Sequence, residues 1–180
     1  MKLELNNQTV LITGSGSGIG RGIAEGFLKE NTLTILSDMN EQFLNDTIAE
    51  FSNLYDTHKV LKFLGDLNKS DTLKKLYQFI IDKAKGLDHL ICNIGSGNSV
   101  PPLSEDVIEF QRMLDINLLN AVGIVNKLQP LLEKNVSKTG YFPSITFVGS
   151  ICGVETLGCP VAYASAKSAL ASYAKNISYP

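Results

Sequence analysis

Apolar, β-branched runs alternate with amphipathic segments along the whole chain. Each run is nearly continuous in apolar residues, which is typical of parallel strands whose sheet is covered on both faces. The predicted strands are TVLIT at 9–13, LTILS at 33–37, KVLKFL at 59–64, DHLICN at 88–93 and SITFVG at 144–149. The pattern therefore predicts a parallel five-stranded sheet.

Segments with helical periodicity separate these strands. They cover 19–30, 71–85 and roughly 105–134, and a last helix begins near Val161 and continues towards the terminus. Strand alternating with helix, with crossovers long enough for parallel pairing, predicts an α/β fold with an open, doubly wound sheet. The 180 residues suffice for one domain with its own core, and a single domain is expected over 1–180.

Single residues suggest where the second helix begins and ends and where the third helix bends. Ser70 or Asp71 is a candidate N-cap for the second helix, and Gly86 is a candidate for its end. Pro130 is expected to bend the end of the third helix, because proline removes a backbone donor.

Composition narrows the class of protein. Hydrophobic residues make up 44% of the chain and charged residues 19%, which is typical of a globular domain. The net charge of −2 gives no general attraction to nucleic acid or to an anionic membrane surface, so neither is expected as a partner. The polar N-terminus MKLELNNQ lacks the apolar core of a signal peptide, and no apolar run is long enough to cross a bilayer. A cytoplasmic location is therefore expected.

Cysteine and histidine usage points away from metal chemistry. Cys92, Cys152 and Cys159 cannot all pair within one chain, and their spacing contains no CxxC. They are predicted to be buried or incidental thiols, with neither a zinc site nor a disulfide framework. His89 lies in the apolar stretch LDHLICN, so it is predicted to be a hydrogen-bonded histidine beside the sheet and not a catalytic one.

A glycine-rich loop follows the first predicted strand. The octapeptide TGSGSGIG at 13–20 does not fit GxGxxG in any register, but it fits GxxxGxG through Gly14, Gly18 and Gly20. Glycine lets backbone N–H groups at a helix N-terminus approach a phosphate closely. The alternative is a glycine-rich turn with no ligand.

The second predicted strand is followed by a carboxylate. Asp38 lies 18 residues after Gly20, near the position where a carboxylate meets the adenosine ribose of NAD. A carboxylate would repel a 2′-phosphate, and neither TGSGSGIG nor SDMN contains Arg or Lys to neutralise one. NAD is therefore favoured over NADP, although Asp38 is also a candidate N-cap for the segment that begins near Asn40.

The stretch YASAK places Tyr163 and Lys167 on one face of a predicted helix. A tyrosine phenol gives up its proton only near pH 10. An ammonium about 4 Å away favours the phenolate by about 4 kcal/mol at an effective dielectric near 20, although burial opposes ionisation. The positive ring of an oxidised nicotinamide would add a second favourable charge. Ser150, at the end of the fifth predicted strand, could donate to a substrate oxygen; an ordinary helix surface pair and a turn serine are the alternatives.

These motifs together resemble the short-chain dehydrogenase/reductase superfamily. The resemblance rests on TGSGSGIG, CNIG, Asn117 in LDINLLN, Ser150 and YASAK, and it covers essentially the whole chain in order. It implies a Rossmann-type dinucleotide-binding fold and hydride transfer between a nicotinamide and an alcohol or carbonyl compound, with no metal.

The resemblance also implies a role for each matching residue. Tyr163 would be the acid/base, Lys167 would hold the nicotinamide ribose and make the tyrosine more acidic, Ser150 would orient the substrate oxygen and Asn117 would anchor a water in a proton relay. Asp66 would meet the adenine ring and Asn93 would line the cofactor site, with Ile94 in place of the usual alanine; a cap, a turn and a helix polar group are the alternatives for Asp66, Asn93 and Asn117. The implied cofactor-binding residues are Gly14, Ser17, Gly18, Ile19, Gly20, Asp38, Asp66, Leu67, Asn93, Gly95, Tyr163 and Lys167.

Family members normally continue with another strand, a Pro-Gly loop, a substrate lid and a final strand, and none of these lies within the 180 residues. We therefore expect a truncated or incomplete product whose fifth strand is an apolar sheet edge. In the family the helices matching 105–134 and 161–178 pair between subunits, so their apolar stripes, with Leu114, Leu118, Val122 and Val125, imply a homodimer or homotetramer. Burial within one subunit explains part of the same pattern.

Three functions remain open at this point. The first is an NAD-dependent oxidoreductase acting on a small secondary alcohol or ketone. The second is a reductase of 3-oxoacyl thioesters, which usually draws on NADPH and which Asp38 disfavours. The third is a non-catalytic NAD-binding or interaction module.

Overall fold

A computed structural model describes residues 3–139 and 142–178, with the backbone alone at 136–139. The chain forms two compact units. Unit 1 contains residues 1–93 and 124–146, and unit 2 contains residues 94–123 and 147–180. The single-domain prediction is not tested by this division and stays a prediction.

The strands form one five-stranded sheet in the order β3-β2-β1-β4-β5. Pairing is parallel between β1 and β2, β1 and β4, and β2 and β3, as in a doubly wound α/β fold. The strands are β1 (Thr9–Thr13), β2 (Leu33–Asp38), β3 (Val60–Leu64), β4 (His89–Cys92) and β5 (Ser144–Phe147). All five strand predictions are confirmed, with bounds that differ by at most two residues at either end.

Six α-helices accompany these strands in the described residues. They are α1 (Gly18–Lys29), α2 (Glu41–Leu54), α3 (Ser70–Phe79), α4 (Val107–Leu114), α5 (Asn120–Thr139) and α6 (Val161–Ile177). Two single π-turns, Ile80–Ala84 after α3 and Asp115–Leu119 between α4 and α5, interrupt helices that periodicity predicts as continuous. Short 3₁₀ turns cover Thr57–Lys59 and Ile151–Gly153. None of the helices in the described ranges is long and apolar enough to span a membrane.

The core of unit 1 lies around β1 and β4, whose residues are all buried. Val10, Leu11 and Ile12 are fully shielded, as the continuous apolar run predicts for a central strand. β5 is one of the two edge strands of the sheet, with β3 at the other edge, and it alternates exposed Ser144 and Thr146 with half-buried apolar residues. The edge is therefore more polar than the sequence analysis expects.

Two helix-terminus predictions are wrong. The N-cap of α3 is Lys69, which offers no side-chain bond, and neither Ser70 nor Asp71 serves as the cap. The residue that ends the following π-turn is Lys85, in the left-handed region with φ 66°, one position before Gly86. Helix α5 continues through Pro130 to Thr139, and a bend at Pro130 stays a prediction. Caps depend on backbone angles at single residues, which side-chain patterns do not report.

The cysteine prediction is also wrong in part. Cys152 and Cys159 form a disulfide in unit 2, because the 3₁₀ turn and the loop after it bring their Cα atoms to 6.3 Å. Cys92 is a free, buried thiol as predicted, and burial raises its pKa to about 12. Among the described residues, no cluster of three or more potential ligands is placed to hold a metal ion.

His89 occupies a polar cluster at the amino-terminal end of β4. Its ring nitrogens bond the hydroxyl of Ser144 and the side-chain oxygen of Gln8. The neighbouring Asp88 carboxylate accepts from the Thr9 N–H at 2.8 Å and from the Asn135 amide at 2.6 Å. The prediction of a hydrogen-bonded histidine beside the sheet is confirmed, and burial lowers the pKa of His89 despite the adjacent carboxylate.

Candidate functional site

The glycine-rich loop of unit 1 leads from the carboxyl end of β1 into α1. β1 pairs with β2 on one side and β4 on the other, so the loop leaves the sheet where the strand order reverses. Ligands of open α/β sheets bind outside the carboxyl ends of strands at this point. Gly14 and Gly18 have φ of 63° and 54°, a backbone conformation that disfavours other residues.

Helix α1 begins with exposed backbone donors. Its N-cap, Ser17, gives no side-chain cap bond, and at this end a helical bond runs from the Arg21 N–H to the Ser17 carbonyl at 3.2 Å. Ser17, Gly18 and Ile19 are exposed. Free N–H groups together with the positive end of the helix dipole make this terminus suited to an anion.

Gly20 and Asn93 hold the start of α1 against the end of β1. The Asn93 amide donates at 3.0 Å to the carbonyls of both Thr13 and Gly14. A methyl group on Gly20 would lie 2.2 Å from the Gly14 oxygen and 2.5 Å from that amide, so the close approach requires glycine. The Asn93 N–H donates to the Thr13 hydroxyl at 3.0 Å, which brings Thr13, a residue that the sequence analysis did not single out, into the cluster.

Asp38 ends β2 beside the same loop. Its carboxylate accepts from the Gly16 N–H at 3.0 Å and from the Asn40 N–H at 2.9 Å. The N-cap of α2 is Asn40, whose side chain accepts from Phe43, so the alternative interpretation of Asp38 as that cap is wrong. Each Asp38 oxygen retains a lone pair for a further donor.

Asp66 and Leu67 follow β3, whose end is joined to β2. The Gly65 N–H donates to the Asp38 carbonyl at 2.9 Å. The Asp66 carboxylate accepts from the backbone and side-chain nitrogens of Asn68, both at 3.0 Å, and Leu67 is buried. Unit 1 thus brings the loop glycines, Asp38 and Asn93 together and places Asp66 one residue beyond the link between β2 and β3.

In unit 2, a π-turn positions Asn117. The bond from the Asn120 N–H to the Asp115 carbonyl spans five residues in place of four, and such turns often occur at functional sites. Asn117 is 1% exposed. Its amide donates to the Ser96 and Met113 carbonyls, and its oxygen accepts from the Ser96 N–H at 3.0 Å. The sequence shows a helical asparagine, but it does not show the π-turn.

Tyr163 and Lys167 lie one turn apart on α6. Lys167 is 4% exposed, and its ammonium donates to the Val148 carbonyl at 2.9 Å. Burial lowers the pKa of Lys167. A methyl group on Gly95 would lie 3.0 Å from the Lys167 Nζ and 2.8 Å from the Asn117 Oδ1. One on Gly97 would lie 3.7 Å from the Cζ of Tyr163. The glycines of this segment therefore bring Asn117, Lys167 and Tyr163 into one cluster.

Ser150 begins the turn after β5. Its hydroxyl accepts from the Cys152 N–H at 3.2 Å, so the interpretation as a turn residue holds locally. The hydroxyl proton stays available to a further acceptor. Gly153 packs on the backbone of Lys167, where an added methyl group would meet the Lys167 carbonyl carbon at 3.0 Å.

Glu105 caps the helix that carries the tyrosine and lysine. The N-cap residue of α6 is Pro160, which supplies no side-chain bond. The Glu105 carboxylate instead accepts from the Ala162 N–H at 3.3 Å and also interacts with the Val161 N–H. Burial raises the pKa of Glu105, but these backbone donors outweigh burial and leave it below its ordinary value. No sequence pattern identifies a cap from so distant a residue.

The chain was compared with known proteins. The family model for short chain dehydrogenase matches residues 8–179. The chain belongs to this family. The sequence resemblance is therefore confirmed at the level of the family, whereas the roles of single residues stay proposals.

Curated relatives of the chain are oxidoreductases named for different substrates. A 7α-hydroxysteroid dehydrogenase from Escherichia coli is 27% identical over 177 residues, which are 98% of this chain and 66% of that protein. A diacetyl reductase from Staphylococcus epidermidis is 27% identical over 167 residues, covering 93% of this chain and 63% of the relative. The chain thus spans less than two thirds of the length of these relatives.

Solved structures confirm the Rossmann-type fold class. The 7α-hydroxysteroid dehydrogenase complexed with NADH and 7-oxo glycochenodeoxycholic acid has a TM-score of 0.87 at 26% identity, with 98% of this chain and 66% of that chain covered. L-sorbose reductase from Gluconobacter frateurii, complexed with NADPH and L-sorbose, has a TM-score of 0.88 at 25% identity, with 98% and 65% covered.

Proposed function

We propose that this chain is an oxidoreductase that transfers a hydride between NAD(H) and a secondary alcohol or ketone. The proposal rests on one cluster in unit 2. Tyr163 and the buried Lys167 of α6 lie against residues 95–97, and Asn117 lies against the same residues. A buried ammonium is costly unless its surroundings use the charge. Stabilising an ionised phenol and binding a ribose are both uses of such a charge.

The loop between β1 and α1 fits the pyrophosphate of a dinucleotide. Glycine at position 20 lets the helix terminus approach the β1 end within a distance that a Cβ would fill. The uncapped N–H groups of the first turn of α1 supply donors for phosphate oxygens. The two solved relatives carry NADH and NADPH, which supports a nicotinamide cofactor here without choosing between them.

Asp38 favours NAD over NADP as the cofactor. Its carboxylate can accept hydrogen bonds from both ribose hydroxyls and would repel a 2′-phosphate. The nearest cation in the sequence, Arg21, is engaged by an ion pair with Glu50. Residues 13–20 and 37–40 contain no Lys or Arg, so the loop lacks a partner of its own for that phosphate.

The residues of unit 2 would supply the proton chemistry. When bound, an oxidised nicotinamide accepts a hydride at C4 from the carbinol carbon. Tyr163 accepts the alcohol proton, and the Lys167 ammonium stabilises the phenolate that makes this possible. Ser150 donates a hydrogen bond to the substrate oxygen. Asn117 holds the backbone of Ser96, and we assign the water of a proton relay to its vicinity.

The assay uses a panel of secondary alcohols. Purified protein is mixed with NAD and each alcohol, and the absorbance of the reduced cofactor is followed. We expect turnover with NAD to exceed turnover with NADP, and Asp38→Asn to narrow that preference by at least about tenfold, the effect of about 1.4 kcal/mol. Tyr163→Phe should retain NAD binding and lose at least about 100-fold in kcat.

Two outcomes would contradict the proposal. NAD binding without turnover on any alcohol or ketone would indicate the non-catalytic binding module. Turnover only with NADPH and a 3-oxoacyl thioester would indicate the alternative reductase and would refute the role of Asp38.

Homodimer or homotetramer formation is proposed separately, because half-buried Leu114, Leu118 and Val122 leave apolar surface on unit 2.

A further inference from the structure

The segment 95–100 of unit 2 passes the side chains proposed for catalysis. The N–H and the carbonyl of Ser96 both bond the Asn117 amide group, at 3.0 Å each. Gly97 faces the ring of Tyr163, with space for only an ordinary van der Waals contact. The position of this segment therefore determines which space remains around the phenol.

An ion pair on α4 holds the second half of the segment. The Arg112 guanidinium donates to the Asn98 carbonyl at 2.7 Å and to the Glu109 carboxylate at 2.6 and 2.7 Å. The same carboxylate accepts from the Ser99 hydroxyl and interacts with the Val100 N–H. Three consecutive residues of the segment are thus attached to two side chains of one helix.

This pair differs from an ordinary surface pair on a helix. The Glu109 side chain is 16% exposed, whereas the carboxylate of the equivalent i,i+3 pair on α3, Asp71 with Lys74, is 84% exposed. Hydrogen bonds from Arg112 and then from Ser99 lower the pKa of Glu109 to about 2. The pair therefore stays ionised at every pH suitable for an assay, and its attachments to the backbone give it a geometric role that exposed pairs lack.

We propose that Arg112 and Glu109 are positioning residues for the oxidoreductase reaction. By fixing residues 98–100 they hold Gly97 against the Tyr163 ring and keep Ser96 on Asn117. Neither side chain needs to touch the substrate. This inference rests on the proposed function, because it assigns the phenol a part in the reaction.

The test compares Arg112→Met with Lys74→Met, which removes the cation of the matched exposed pair. We expect kcat per NADH-binding site to fall about tenfold in Arg112→Met, because small misplacements of reacting groups have effects of this size or larger. The KM for NAD should change by less than about twofold, since Arg112 bonds Asn98 and Glu109, and neither is a proposed NAD-binding residue. Lys74→Met should retain the kcat of the parent protein.

Two further measurements, a kinetic isotope effect and hydrogen exchange, distinguish the positioning role from a purely structural one. Normalising to NADH-binding sites removes any loss of folded protein, and the primary isotope effect with a deuterated alcohol should not fall when the chemical step becomes slower. Hydrogen exchange should accelerate at the Ser96 and Val100 amides in Arg112→Met and not in Lys74→Met. Ser99→Ala, a smaller change, should show the same effects more weakly.

The outcomes distinguish the two proposals. A parent protein without turnover refutes the proposed function, and the exchange rates then still report whether the pair holds the segment. Faster exchange with unchanged kcat overturns the positioning role of Arg112 and Glu109, and so does unchanged exchange at Ser96 and Val100.

Discussion

Replacing Gly20 with alanine tests the contact between α1 and the end of β1. A helix normally gains about 1 kcal/mol from such a change, because alanine restricts the unfolded chain and has the higher helix propensity. At Gly20 the added methyl would lie 2.2 Å from the Gly14 oxygen, which is backbone and cannot rotate away. We therefore expect the usual gain to be reversed.

The magnitude follows from the contacts that must yield. The methyl would also lie 2.5 Å from the Asn93 amide nitrogen, and displacing that amide weakens its two hydrogen bonds, each contributing about 1 kcal/mol. Overpacking adds about 1–3 kcal/mol. After the usual gain of about 1 kcal/mol is subtracted, Gly20→Ala should lower the free energy of unfolding by about 2–4 kcal/mol. Gly22→Ala is the matched control on the same helix, since its methyl meets no atom within 4 Å, and it should stabilise by about 0.5–1 kcal/mol.

Two measurements check this prediction. Urea unfolding followed by circular dichroism gives the free energies, and NADH titration gives the affinity, which should fall at least about tenfold in Gly20→Ala and stay constant in Gly22→Ala. Equal unfolding midpoints and equal affinities for the two alanine variants would refute the reasoning, because the close approach would then not constrain the loop.

The remaining predictions concern other parts of the chain. Gly95→Ala should lower kcat, because the added methyl would displace Lys167 or Asn117. The methyl of Gly97→Ala would make only ordinary contacts of 3.7–3.8 Å, so this variant should fold with the stability of the parent and keep a higher kcat than Gly95→Ala. Equal kcat values in the two variants would contradict the cluster geometry. Because burial lowers the pKa of His89, the unfolded chain takes up a proton below about pH 6.5 that the folded chain resists, so the free energy of unfolding should fall from about pH 7.5 to 5.5. In urea unfolding His89→Gln should flatten that slope, and an unchanged slope would assign it elsewhere. Reducing the disulfide of Cys152 and Cys159 should lower the free energy of unfolding by about 2.5 kcal/mol through loss of a short closed loop, and an unchanged midpoint with dithiothreitol would show no such restraint.

The strands could be predicted because a strand that is buried on both faces is apolar at almost every position. β1 lies between β2 and β4, so every residue of TVLIT is buried and the run is continuous. The glycine spacing likewise reflects one local constraint, since the methyl-sized gap at Gly20 is a property of a single position. Local constraints of this kind are visible in the sequence.

Features that depend on distant partners could not be predicted. Glu105 caps α6 across 57 positions of sequence, and Arg112 reaches back 14 positions to Asn98. The π-turn at Asn117 adds one residue to a single turn of a helical segment, and the apolar pattern of that segment does not report the extra residue. The disulfide needed the backbone path between Cys152 and Cys159, which spacing alone does not provide.

The most direct test of the proposed function uses NADH deuterated at C4, in each of its two stereoisomers, with a ketone from the active panel. If this chain transfers hydride directly, one of the isomers should yield an alcohol with a single deuterium on the carbinol carbon, and Tyr163→Phe should form it at least about 100-fold more slowly. Oxidation of both isomers without deuterium in the alcohol would contradict direct transfer, and unimpaired turnover in Tyr163→Phe would contradict the assignment of the acid/base.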